Sequence, residues 1–325
     1  MKSVKLSAFL QWKVNIFLYL TLGWKVTRLL VFALGRTYFF FKKEEKRRII
    51  DAVSEVASGR NRRNARKIKK GVFDGILCHY YEKMFIAFEK PEKAADFLKN
   101  SIRIDDLDVL RRELSKGNGV IMVTGHYGAI EYIPTLLAVN SLPVTMIARF
   151  NSKQLKERAF SQAEKYGIRL IDAAQSGGVI ASAVSELRNN RIVVTECDEI
   201  EEWRPSKIEK ISFLGKVTGL DRTINVIYKR TKAEVVFGVI HRYSLNSYKL
   251  IAVSRDEMAQ RMKNGGFSSV GETVLKFLEH HIYQNPEQWY QWKNYGEIGW
   301  VPSYIPGGNP PERPALLKPQ WAPGS

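Results

Sequence analysis

A histidine at the end of a strand, with a carboxylate to hold its second ring nitrogen, can take a proton from a hydroxyl and make it nucleophilic. One stretch of the chain has those parts: the apolar run Val120 to Thr124 leads into Gly125, His126, Tyr127 and Gly128, and Glu131 follows the histidine by five residues. The spacing predicts that Glu131 falls in the first turn of the next helix, where the macrodipole keeps its carboxylate ionised. His126 and Glu131 are therefore the expected general-base pair. The backbone N–H groups around Gly125 and Gly128 are the expected donors to a developing oxyanion. Spacing alone says little, because 5 histidines and 33 acids in 325 residues give about 0.5 chance matches to His-x4-acid.

Context comes from the elements around the histidine. The pattern predicts strands at 120–124, 144–149, 168–171 and 191–196, separated by helices near 129–140, 153–166 and 177–189. Strands alternating with helices imply an α/β fold with a largely parallel central sheet flanked by helices. In such a sheet the ligand crevice lies outside the carboxyl ends of the strands, where His126 falls. A helical stretch, about 73–114, should approach the sheet. After a polar stretch at 197–210, the sequence offers Ile211 to Gly215, a helix near 221–230, strands near 234–241 and 248–254, and a helix near 270–283. The expected organisation is an N-terminal membrane-associating helix at 1–41, a basic linker and helical approach segment at 42–115, an α/β domain at 116–299 and a tail at 300–325. The tail holds seven of the chain's twelve prolines and should be irregular.

The net charge of +18 is unevenly placed, since residues 1–70 carry 18 Lys or Arg against four acids. Phe9 to Phe41 contains no acid and is rich in Leu, Phe, Val, Trp and Tyr. Its longest uncharged run, Val14 to Trp24, is 11 residues, short of the roughly 20 that a clean span needs. Thr21, Lys25 and Arg28 should form a polar stripe opposite Leu20, Leu22, Val26, Leu29 and Leu30, so that the helix lies in the membrane interface. The basic run from Arg60 to Lys70 would suit nucleic acid, but it follows an apolar, aromatic segment that a nucleic-acid arm does not need. The two cysteines, Cys78 and Cys197, form no disulfide framework and fit a reducing, cytosol-facing location. No phosphate-binding glycine loop, nucleophile elbow or metal-ligand spacing is present, so neither cofactor nor metal is expected.

The run Gly119-Val-Ile-Met-Val-Thr-Gly-His-Tyr-Gly-Ala-Ile-Glu131 resembles the His-x4-Asp/Glu block of glycerolipid-type acyltransferases. Its Glu and flanking glycines look specifically like the bacterial lipid A late-acyltransferase family. Further blocks agree in order: Ile147-Ala-Arg149, Tyr166-Gly-Ile-Arg169, Val193-Val-Thr-Glu-Cys-Asp198, Ile211-Ser-Phe-Leu-Gly215, Val239-Ile-His-Arg242 and Asn285-Pro-Glu-Gln-Trp-Tyr-Gln-Trp292. The resemblance spans about 5–295. It implies that His126 and Glu131 are the catalytic pair, with Arg169 and Asp198 as further active-site residues. The chain departs from the family pattern at Ala129-Ile130, at Glu199 and after Trp292, which bears on the acceptor more than on the chemistry.

Transfer from an acyl thioester needs a base for the attacking hydroxyl and positive or N–H-rich surroundings for the oxyanion. His126 would serve the first, and Arg169 or the Gly125 to Gly128 backbone the second. Arg149 and Arg242, each at a predicted strand end, would bind phosphate groups of substrate. The expected activity is O-acyl transfer at the cytoplasmic face of a bacterial inner membrane, from acyl carrier protein or acyl-coenzyme A to a glycolipid. The alternatives are another phospholipid or aminolipid acceptor, and a non-catalytic lipid-binding protein of the same fold. A glycerol-phosphate-type enzyme would have Asp at position 131. Trp289 and Trp292 are expected to pack the last helix on the core.

Overall fold

A computed structural model describes residues 6, 10, 13–57, 62–149, 153–174, 178–200, 203–262 and 269–299. The expected irregular tail, 300–325, lies outside the described residues, as does the start of the basic run at Arg60. Four helices come first: α1 (Lys13–Phe41), α2 (Lys43–Val56), α3 (Arg62–Phe88) and α4 (Pro91–Ser101). A short β1 (Ile102–Arg103) and α5 (Leu107–Leu114) lead to the alternating part. There β2 (Val120–Thr124), α6 (Ile133–Val139), β3 (Val144–Ala148), α7 (Lys153–Lys165), β4 (Arg169–Asp172), α8 (Val179–Arg188) and β5 (Ile192–Glu196) follow in turn. The chain continues through β6 (Pro205–Phe213), β7 (Lys216–Asp221), α9 (Thr223–Thr231), β8 (Glu234–Ser244), β9 (Ser247–Ser254), α10 (Arg255–Arg261) and α11 (Val270–Gln284).

Seven strands form one sheet in the order β1-β9-β8-β2-β5-β3-β4, parallel throughout except where β9 runs against β8. The expected α/β architecture is therefore present. All five residues of β2 are buried, as a strand covered on both faces requires. Alternation divides its side chains: Ile121 and Val123 join a core with Val193, Phe237 and Leu278, while Val120 and Met122 join a second core with Ile192, Val194 and Leu136. β2 sits in the middle, with β5 and β8 as neighbours; β5 ends level with it, while β8 runs on to Ser244.

Two local features differ from the expectation. The helix predicted from 129 begins as a 3-10 turn, Ile130–Tyr132, before α6 takes over with Pro134 in its first turn. The hairpin β6–β7 begins inside the stretch at 197–210 that reads only as polar. Its first strand carries Lys207, Glu209 and Lys210, and Ile208 is 91% exposed, so it has no apolar alternation to betray it. Leu214 and Gly215, with φ of 50° and 83°, make the two-residue turn that closes it.

α1 is long and apolar enough, by length and composition, to cross a membrane. It is broken at Gly23, whose φ of 73° and ψ of 163° are outside helical space. The break changes which faces look outward. Tyr19, Thr27, Val31 and Tyr38 face the protein, while Phe17, Leu20, Leu29 and Phe40 are exposed together with Lys25, Arg28 and Arg36. The expected separation of a polar stripe from an apolar one is thus replaced by a mixed outer face. Trp24 anchors the helix to α3 by edge contacts with Tyr81 and Phe85, at 6.0 and 5.2 Å between ring centres.

Candidate active site

The parallel register pairs Thr124 with Glu196, so the residues just past β2 lie beside those just past β5. The Cys197 N–H donates to the Thr124 carbonyl at 2.9 Å, extending the pairing one step beyond the ladder. Gly125 then lets the two loops close. A Cβ there would stand 2.3 Å from Leu278 Cδ2 and 3.2 Å from Asp198 Oδ1. The Asp198 carboxylate is fully buried and accepts from the His126 N–H at 3.0 and 3.1 Å and from Trp289 Nε1 at 2.7 Å. It also lies 2.9 Å from His126 Nδ1. An ionised carboxylate only accepts, so this bond requires the proton on Nδ1 and leaves Nε2 as the working nitrogen.

Nε2 faces two more acids, Glu199 Oε2 at 3.4 Å and Glu196 Oε2 at 3.6 Å. Burial opposes the charged imidazole, but the carboxylates of Glu196, Asp198 and Glu199 outweigh it and hold the His126 pKa well above its ordinary value. Glu196 is pushed up to about 7 by burial, with His126 working against the shift and Glu199 and Asp198 adding to it. Burial also penalises Glu199, yet its bond to His126 keeps its pKa lowered. Donor atoms of His126, Glu196 and Glu199 lie within 4.8 Å of one another, a grouping that could hold a metal ion.

Glu131 is placed elsewhere in the same centre. From the 3-10 turn its carboxylate reaches Lys83 of α3 at 3.0 Å and lies 3.8 Å from His79 Nε2. The acid bonded to His126 is thus Asp198, brought in by the neighbouring strand, while the tighter turn at 130–132 sends Glu131 toward α3. Tyr290 contacts both sides: its ring stacks on His79 at 3.6 Å and meets His126 edge-on at 5.1 Å, and its N–H donates to the His126 carbonyl. Burial, then Lys83, lowers the His79 pKa well below normal, whereas the Glu131 carboxylate raises that of Lys83. Glu199 at 37% and Lys83 at 35% side-chain exposure mark where the centre opens.

Sequence reasoning passed over His79, Lys83, Glu196, Glu199 and Tyr290 as site residues, and it assigned Trp289 to packing alone. Trp289 does pack, fully buried against Phe213 and Trp292, but its indole N–H also holds Asp198. A signal for α3 existed. His79 and Lys83 are one helical turn apart in an otherwise apolar run, and Glu82 sits beside them.

The remaining predicted residues are distributed differently. Arg242 is buried in a bidentate pair with Glu82, both contacts at 2.6 Å, and donates to the Gly128 carbonyl at 2.8 Å. Its charge is matched by Glu82 and its side chain is buried, which corrects the expectation that it binds a phosphate. Arg169 opens β4 at the amino edge of the sheet, level with Thr145, so it is at the opposite end from His126. It pairs with Glu186 at 3.1 Å and is 58% exposed. Arg149, past the end of β3, is exposed and helps to lower the Asp172 pKa, which is set mainly by Lys156. Gly128 has a φ of 59°, and a Cβ there would stand 2.0 Å from the Ile240 carbonyl oxygen. The N–H groups of His126, Tyr127, Gly128 and Ala129 are all committed, to Asp198, Gly125, Gln288 and Ile240, so they are not oxyanion donors in this arrangement.

A largely parallel α/β sheet with a carboxylate-held histidine at the carboxyl end of its central strand, preceded by an apolar N-terminal helix, defines the class of fold and site. The chain matches the model of the bacterial lipid A biosynthesis acyltransferase family over residues 1–294, and it belongs to that family. A search of curated proteins returned no match. Membership makes it a lipid A-type acyltransferase in general, acting on an acyl donor and a lipid acceptor.

Proposed function

We propose that the protein transfers a fatty acyl chain from an acyl thioester, on acyl carrier protein or coenzyme A, to a hydroxyl of a lipid A-type or other glycolipid, with His126 as the base. The observation that carries this reading is the Asp198 to His126 Nδ1 bond, which leaves Nε2 facing the part-exposed Glu199 and Glu196. Nε2 takes the proton of the acceptor hydroxyl as its oxygen attacks the thioester carbonyl carbon. The tetrahedral intermediate then collapses, breaking the C–S bond, and the imidazolium returns the proton to the departing thiolate. Lys83, held by Glu131, is the proposed cationic partner of the oxyanion. Glu131 therefore acts through Lys83 rather than through the imidazole.

The proposed site of action is the cytoplasmic face of the bacterial inner membrane. Donors of both kinds are soluble there, Cys78 and Cys197 are free thiols, and α1 offers an outer face of exposed apolar and basic side chains. Purified protein should move labelled acyl chain from donor to glycolipid. His126→Ala should cut that transfer by about 10²–10⁴. Undiminished transfer by the variant would overturn the mechanism, and no transfer by the parent chain with any thioester would favour a lipid-binding protein.

A further inference from the structure

Away from the histidine centre, α1 and the tip of the β8–β9 hairpin border an open cleft of about 460 Å³. Arg28, Leu29, Phe32 and Arg36 line one side, and Ser244 to Asn246 the other. Residues 28, 32 and 36 are spaced by four, so one face of the helix presents both guanidinium groups to the hairpin. Among the described residues, no acidic side chain lines the cavity.

Both cations are under-used. The nearest carboxylate to Arg36 is Asp74 at 3.8 Å, beyond hydrogen-bond range, and the Arg36 side chain is 69% exposed. Arg28 has no ion pair among the described residues. Arg36 instead leans on Phe32, 6.0 Å from the ring centre, which stiffens it in place. Across the cavity, the exposed Ser244 hydroxyl and Asn246 amide add hydrogen-bonding groups. On the same helix, Leu29 at 65% and Phe40 at 67% exposure continue the site as an apolar surface.

A paired-guanidinium pocket bordered by exposed apolar side chains suits an anion attached to acyl chains. We propose that this cavity binds the headgroup phosphate of an anionic phospholipid, with Arg28 and Arg36 as its clamp and the lipid tails lying along Leu29 and the outer face of α1. Because β8 runs parallel to β2, the hairpin tip projects from the sheet edge that carries His126, so the bound lipid also sets the orientation of that edge to the bilayer. The inference is independent of the reaction.

The test uses full-length protein in neutral detergent, where no charged surface exists to attract basic residues in general. Native mass spectrometry after addition of phosphatidylglycerol should show one retained lipid per chain. Arg28→Gln with Arg36→Gln should lose it by at least ten-fold in occupancy at equal lipid, on the order of the two charges involved. The pair Lys25→Gln with Lys43→Gln, equally exposed and outside the cavity, should keep it. Equal loss in both pairs would overturn the proposal. So would displacement of the lipid by inorganic phosphate, or binding of inorganic phosphate through the arginines without any lipid retention, since either makes the cavity a soluble-anion site. Unchanged thermal unfolding of the arginine pair would show that the loss is local.

Discussion

Two buried charged groups meet the same strand-end region and are solved in opposite ways. Arg242 is matched in charge: the Glu82 carboxylate takes two of its N–H groups in a bidentate pair and the Gly128 carbonyl takes a third. His126 is over-supplied, with Asp198 on one nitrogen and both Glu196 and Glu199 facing the other. A closed pair holds a shape, while a surplus of carboxylates around one imidazole stores the capacity to move a proton. The difference separates what positions the centre from what can react within it.

The sharpest way to break the comparison is at Asp198. Asn at this position keeps the volume but replaces one acceptor oxygen by an NH₂ group, which would face the donors His126 N–H, His126 Nδ1–H or Trp289 Nε1–H. Asp198→Asn should lower acyl transfer by roughly 10²–10⁴, with little change in the KM for donor. A variant with parental kcat would remove Asp198 from the mechanism.

The matched pair should fail differently. Glu82→Gln leaves the Arg242 charge buried without its counter-ion, and should cost about 3–5 kcal/mol of stability in denaturant unfolding. A loss below about 1 kcal/mol would mean that water reaches Arg242 and the pair is not closed.

The surplus predicts a pH signature. The base works only when deprotonated, and the surrounding carboxylates hold the His126 pKa well above normal, so the rate should rise with pH through and beyond neutrality. Glu196→Gln removes one of those charges and should move the rising limb of kcat against pH toward more acidic values. Stability runs the other way with pH. A Glu196 pKa raised to about 7 contributes stability that is complete below about 4.5 and lost as pH rises through about 7, so Glu196→Gln should gain on the parent chain at alkaline pH. An unmoved limb would separate Glu196 from the imidazole.

The smallest effect is expected at Arg169. Its pair with Glu186 is largely solvated and lies at the amino edge of the sheet, so Arg169→Gln should change stability by less than about 1 kcal/mol and leave transfer within about two-fold. A large loss of kcat would restore it to the active site and require a chain movement that brings β4 round.

Local sequence determined the strands, because β2 and β5 each open on an apolar run that can be buried on both faces, and it determined that His126 follows the first of them. It also determined a basic, apolar N-terminal helix and a series of blocks sufficient to resemble one family. Which acid serves the histidine was decided by tertiary structure alone. Glu131 is five residues away in the chain, but a 3-10 turn points it at α3. Asp198 is 72 residues away, and the parallel register of β2 with β5 brings it to 2.9 Å. The same holds for His79, Lys83 and Trp289, which arrive from helix α3 and from the segment after α11. Spacing records neighbours along a chain, whereas a site at a sheet edge is assembled across strands by register, and register is a property of the packed sheet.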